Sequence, residues 1–384
     1  MKGRKGRFLF TLFLTLLVFG FGTRIVRADE MDNFQSDKKS IETAETKILE
    51  EEFDFKEIEK SLSELFPKEK ISFEEVVSSF LSGEPGEMLE LLTGYIRDEI
   101  AYEFLYSKKT LVSIILIAVM AAFQSRQISG MSFYVVYMLL ITLCLMSFRT
   151  AVYGISEKLE SLTTFMRVLC PGYFLAVAFS SGSATSIFFY NLILFLIYIS
   201  ELVIVRFLFP VINVYIMVQM LGNLTEEDLF SEFADLLKKA VTWTLRTIVA
   251  CIVGVNVVQG LLAPAIDTVK RSALTRTAEA LPWIGNVMGG MAEVTMGTIV
   301  LIKNGIGMAG AFIAVLICAV PILQMLLSAL LYKMAAAAVQ PVSDKRITAC
   351  IRGVSEGYEM IVSVIFTVGF LFLLTIAVVA GVTT

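Results

Sequence analysis

Three glycines and two carboxylates are the residues whose types and spacing could do chemistry in this chain. Gly305, Gly307 and Gly310 form G-x-G-x-x-G inside "LIKNGIGMAG". An apolar run precedes the motif and a helix-like segment follows it, which is the context of a dinucleotide-binding loop. Such a loop needs an acidic residue about 20 positions further on to hold a ribose hydroxyl. The next carboxylate here is Asp344, and the segment up to Tyr332 is apolar on every side. A cofactor loop is therefore rejected, and no phosphate-loop signature occurs elsewhere. Glu201 and Glu293 are different: each lies deep in an apolar run. There is no histidine, which removes His-based triads, His metal sites and His proton relays. The cysteines Cys144, Cys170, Cys251, Cys318 and Cys350 form no C-x-x-C pair and read as small core residues. No catalytic, cofactor-binding or metal-binding residues are assigned.

The elements that must position these residues are set by composition. Hydrophobic residues make up 56% of the 384 residues and charged residues only 18%, against about a quarter charged in soluble domains. The mean hydropathy is +0.75. Nothing charged lies between Lys303 and Lys333, or after Glu359. Uncharged runs of about 18 residues or more read as membrane-crossing helices. The expected fold is all-α: a polytopic helical membrane protein of about 7–9 membrane segments, with a small exported acidic helical domain at its N-terminus. Candidate segments fall at 109–124, 131–148, 168–181, 185–205, 207–222, 241–262, 284–302, 308–332 and 360–382.

Three zones follow. Residues 1–28 have a basic start, an apolar stretch at 8–22 and a small residue at Ala28, so a secretory signal cut between Ala28 and Asp29 is expected. Arg24 and Arg27 keep a retained anchor open as the alternative. Residues 29–110 hold more than two acidic residues for each basic one and read as an extracytoplasmic helical domain with a solvated surface. Within it, Ser72 and Glu75 have the spacing of a capping box. Residues 111–384 form the membrane domain. Its most basic loops, 263–282 and 341–352, are expected on the cytoplasmic side. With the N-terminal domain and the C-terminus both outside, the number of crossings is even. Eight is favoured, with 168–181 (Pro171) or 207–222 (Pro210) re-entrant.

Asn286, Gly290, Glu293, Gly297 and Asn304 recur along one face of a continuous helix. A charge at mid-membrane costs roughly 3 kcal/mol on insertion scales, so Glu293 needs a partner, a wet cavity or a proton. Glu201 shares its face with Asn191 and Tyr198. Two readings stand: a polar lining for a conduit, or interhelical packing with lysines snorkelling at the helix ends. Residues 301–310 then read as a short break between two membrane segments, with Lys303 and Asn304 at its polar edge. In "LTEEDLFSEFADLLKKA", Leu229, Phe230, Phe233, Leu236 and Leu237 share an apolar face. This helix either lies in the interface plane against lipid or a partner, or packs on the chain itself.

An acidic exported segment, followed by a membrane half with "LIKNGIG" and "AAAAVQPVSD", resembles the stage III sporulation protein AE family of endospore-forming bacteria. The resemblance covers essentially the whole mature chain. It implies a non-enzymatic integral membrane component of a specialised secretion or feeding channel between mother cell and forespore, required for late forespore development. It implies a place in the mother-cell membrane around the forespore. The implied partners are proteins of the same operon, a secretion-type ATPase and ring-forming membrane proteins, together with the lipid bilayer and no nucleic acid. A secondary transporter for a small solute, or a membrane scaffold without its own conduit, are the alternatives.

Overall fold

A computed structural model describes residues 56–66, 72–82, 86–124, 130–181, 185–223, 230–278 and 289–381. The signal segment, its cut at Ala28–Asp29, Leu229 and Asn286 lie outside the described residues. All regular structure among those described is helical, as the sequence leads one to expect. In chain order it consists of α1 (Lys56–Leu65), α2 (Phe73–Ser82), α3 (Gly86–Gln124), α4 (Gly130–Ser181), α5 (Thr185–Val203), a π-helical turn (Ile204–Leu208), α6 (Phe209–Gly222), α7 (Ser231–Ala278), α8 (Gly289–Val339) and α9 (Lys345–Gly381). Among the described residues, five stretches are long and apolar enough to cross a membrane: Phe133–Pro171, Phe195–Gly222, Ser231–Val258, Asn304–Val339 and Lys345–Ala377.

The candidate segments are joined differently from the sequence expectation. Segments 131–148 and 168–181 are parts of one 52-residue helix, α4, which passes straight through Pro171. Segments 185–205 and 207–222 form one rod through the π turn. Pro210 explains that turn: it has no N–H to donate and its ring crowds the carbonyl four residues back. The ladder widens just before it, and Phe209 N–H donates to the Ile204 carbonyl five residues back. Segments 284–302 and 308–332 overlap α8, which is helical without interruption from Gly289 to Val339, across Pro321. The expected break at 301–310 is absent. In apolar surroundings an opened helix would strand backbone polar groups, so the chain keeps its ladder through Gly and Pro.

The three glycines instead let other helices approach α8 closely. A Cβ on Gly305 would sit 3.1 Å from Leu81 of α2, one on Gly307 3.0 Å from the Tyr173 ring of α4, and one on Gly310 2.5 Å from Leu169 of α4. Nearby, the Phe80 ring meets Phe312 edge-on at 5.3 Å. Thus α8 is the core helix: 67% of its most apolar window is buried within the chain, against 22% for α7. It packs on α9, α4, α3 and α2.

Hydrogen bonds fix the helix directions. Glu99 with Gln324, Glu103 with Ser328, and Ala118 with Ser343 are each 225 positions apart. A constant offset means that α3 and α8 run parallel and in register. By contrast, Lys158 meets Gln324 while the earlier Ser147 meets the later Tyr332, so α4 runs antiparallel to α8. The two short helices of the acidic segment join this same unit, which clusters as Glu52–Thr384. The amides that open α2 are capped from another helix. Glu59 Oε1 on α1 accepts from Phe73 N at 2.6 Å, Glu74 N at 3.4 Å and the Ser72 hydroxyl at 2.9 Å. The expected Ser72 cap is reduced to one long contact, Glu75 N to Ser72 Oγ at 3.5 Å. A carboxylate is the stronger acceptor at a positive helix end.

Candidate functional site

Two polar stripes at helical spacing meet in the body of the bundle. On α3 the stripe is Glu99, Glu103 and Ser107; on α8 it is Gln324, Ser328 and Tyr332. Each repeats at i, i+4, i+8, which places it on one face of its helix. Because α3 and α8 run in register, the stripes lie side by side, and α4 brings Lys158 and Ser147 to the same place. Lys158 Nζ donates to Gln324 Oε1 at 2.7 Å, and Gln324 Nε2 donates to Glu99 Oε1 at 3.0 Å. Ser328 and Ser107 hydroxyls both donate to Glu103 Oε1, at 3.3 and 3.0 Å. The Tyr332 hydroxyl donates to Ser147 Oγ at 3.0 Å.

All of these groups except Ser328 line a cavity of about 230 Å³, together with Thr110, Thr150 and Tyr358 among others. At about 30 Å³ per liquid water, it has room for several. Its charged lining is two carboxylates and one ammonium, so full ionisation leaves one negative charge in excess. Lys158 lies 3.8 Å from Glu99, whereas Glu103 forms no ion pair among the described residues. The lining can hold water, favour cations over anions and pass hydrogen bonds along α8. Among the described residues no group of three or more His, Cys, Asp or Glu is placed to hold a metal ion.

More polar contacts fall at the same height. Glu356 of α9 accepts from Lys238 of α7 at 2.6 Å and from Tyr215 of α6 at 2.9 Å. Lys333 pairs with Glu359. From Gln324 to Lys333 is about 14 Å of helix, and charged side chains of α3, α4, α7, α8 and α9 converge there. This belt closes one end of the uncharged stretch of α8.

The residues singled out from the sequence are placed as follows. Glu201 does not stand alone: Arg167 of α4 reaches it at 2.7 Å and lies 5.9 Å from the Tyr198 ring. Gly290, Glu293, Gly297 and Asn304 do share one continuous helix, and Asn304 is exposed. Asn304 is not among the residues that line the cavity. The expected interface helix is the first part of α7 rather than a separate element. There Ala234 and Val241 face inward, Leu237 is half-buried, and Phe230, Phe233 and Leu236 are 42%, 48% and 59% exposed, uncovered by the chain itself. The expectation of cysteines as core residues fits Cys144, Cys170, Cys318 and Cys350, which are buried, while Cys251 is exposed.

Sequence reading missed the cavity. It places Glu99 and Glu103 on a solvated acidic surface and leaves Lys158 outside every candidate segment. The signal that could have found it is the pair of i, i+4, i+8 stripes, one of them inside an otherwise uncharged run.

Comparison with known proteins gives this arrangement a context. The family description "Stage III sporulation protein AE" matches residues 71–383. The chain belongs to the stage III sporulation protein AE family. The stage III sporulation protein AE of Bacillus subtilis (strain 168) is 28% identical over 393 aligned positions, covering 97% of each chain. No solved structure matches. The family match takes in α2 through α9 and every cavity residue named above. Family membership gives the chain a role in sporulation and agrees with the resemblance drawn from "LIKNGIG" and "AAAAVQPVSD".

Proposed function

We propose that this protein is a non-enzymatic integral membrane component of a secretion or feeding channel between mother cell and forespore, and that the α3–α4–α8 cavity is its wet surface. The observation that carries the reading is the cavity itself. A volume with room for several waters, lined by two carboxylates, an ammonium and several hydroxyls among apolar helices, is costly to keep unless it serves a polar path. The protein sits in the mother-cell membrane around the forespore, with the acidic N-terminal segment extracytoplasmic and residues 341–352 cytoplasmic. A secretion-type ATPase and ring-forming membrane proteins of the same operon are its partners. Replacing the native copy with a Glu99→Gln, Glu103→Gln variant tests this. Development should arrest after engulfment although the variant reaches the membrane at normal level. Normal spores at that level would sink the proposal.

The same lining supports a second reading, a transporter that works alone, because paired opposite charges around a small volume also suit a solute site. Purified protein in liposomes separates the two. Unaided flux of a small cation favours the transporter, and flux only with partner subunits favours the channel component.

A further inference from the structure

Away from the cavity, α5, α7 and α9 meet in a contact that is apolar except for three side chains, one of them unsatisfied. Asn256 of α7 is 2% exposed. Neither its Nδ2 nor its Oδ1 has a hydrogen-bond partner among the described residues. It lines a separate void of about 20 Å³, with Ser200 of α5 and Thr375 of α9 as the other polar groups and aliphatic or phenyl side chains as the rest of the wall. An amide is expensive to bury with its hydrogen bonds unmade.

Donor and acceptor chemistry selects the occupant. The Ser200 hydroxyl donates to the Leu196 carbonyl at 2.8 Å, and the Thr375 hydroxyl donates to the Leu371 carbonyl at 2.9 Å. With both hydrogens turned to helix carbonyls, these oxygens are left to accept. Nothing in the wall can donate to Asn256 Oδ1. The occupant must therefore both donate and accept. A metal cation cannot accept from Nδ2 and finds no carboxylate in the wall; an anion cannot donate. A void needs roughly 10–15 Å³ to hold one water, and this one meets that need.

We propose that the α5–α7–α9 junction is a binding site for a single water molecule. The water accepts from the Asn256 Nδ2 hydrogen beside the carbonyl and donates back to Oδ1. Its second hydrogen goes to Ser200 Oγ or Thr375 Oγ1. It is a polar joint between α7, α5 and α9, additional to the Lys238–Glu356 pair that ties α7 to α9.

The test uses the full chain in lipid nanodiscs. A density map that shows ordered waters should contain a peak within hydrogen-bonding distance of Asn256; an empty void overturns the proposal. Melting provides an independent readout. With the water present, Asn256→Leu removes a satisfied network and lowers the Tm. In a dry void it removes an unsatisfied amide and raises the Tm. Thr375→Val separates this loss from crowding by leucine. With a water bridge Thr375→Val also lowers the Tm, and the double variant loses less than the sum of the two. A Thr375→Val variant that melts like wild type, with strictly additive losses, overturns the bridge. A Tm that rises in sodium relative to potassium only when Asn256 is present also overturns it, because the occupant is then a cation.

Discussion

Gln324→Leu is the most informative single change for the polar site. Gln324 is 5% exposed and is the bridge between Lys158 and Glu99. Leucine fills nearly the same space, so the change removes hydrogen bonds without opening a large void. Each hydrogen bond to a charged group contributes about 1.5–3 kcal/mol, which puts the two together at roughly 3–6 kcal/mol. The net effect is smaller. Lys158 and Glu99 are 37% and 27% exposed and already 3.8 Å apart, so both can turn to water and to each other, and a screened pair of that kind recovers about 1 kcal/mol. The expected destabilisation is about 2–5 kcal/mol. Domains of 150–250 residues lose about 2–4 °C per kcal/mol, and larger ones less, so at about 2 °C per kcal/mol the Tm in detergent should fall by about 4–10 °C. Thr142→Val is the control. Thr142 is exposed on α4 and bonds only to its own helix, at the Met138 carbonyl, so its loss should stay within about 0.5 kcal/mol. A Gln324→Leu protein that melts at or above the wild-type temperature would refute the Lys158–Gln324–Glu99 chain.

Three further outcomes are expected. Gly310→Ala places a methyl 2.5 Å from Leu169 and should cost about 1–3 kcal/mol by overpacking; adding Leu169→Ala should recover part of the lost Tm, and a strictly additive double variant would contradict the contact. Glu59→Ala removes the acceptor for the first amides of α2 and should cost about 0.5–2 kcal/mol locally, read as faster hydrogen exchange at Phe73 and Glu74 with the long helices unchanged. Arg167→Gln strips Glu201 of its cation and should lower the amount of protein in the membrane, and Arg167→Gln with Glu201→Gln should restore it; equal loss in both variants would show that the pair is not the reason.

The helical membrane class was legible because charge is so unevenly spread: the run from Lys303 to Lys333 and the run after Glu359 leave no other solution. The number of separate segments was not. Glu157, Lys158 and Glu160 fall between candidate segments, Pro171 and Pro210 mark candidate re-entrant segments, and the glycines at 305–310 suggest a break. The helices absorb all of these, because among apolar neighbours a helix that stops must satisfy its backbone groups by other means. In the acidic segment the inward faces of α1 and α2 follow helical spacing: Ile58, Leu62, Val76 and Val77 recur along it and are buried. Glu201 stood out from the sequence, but its partner is 34 positions away on another helix. The cavity was out of reach for the same reason at larger scale: its bonds join residues 166 and 225 positions apart. Only the helix registers bring those residues together.

Thiol accessibility along the cavity tests the central claim most directly. With the native cysteines replaced, single cysteines are placed at Ser107 and Thr150, which line the cavity, and at Val135 on the outer face of α4, which is 70% exposed in the chain. Intact membranes are then treated with a charged, membrane-impermeant thiol reagent. The account predicts labelling at Ser107→Cys and Thr150→Cys and protection at Val135→Cys. Protection of both cavity positions, in protein that is folded and present at normal level, would contradict a wet polar site between α3, α4 and α8.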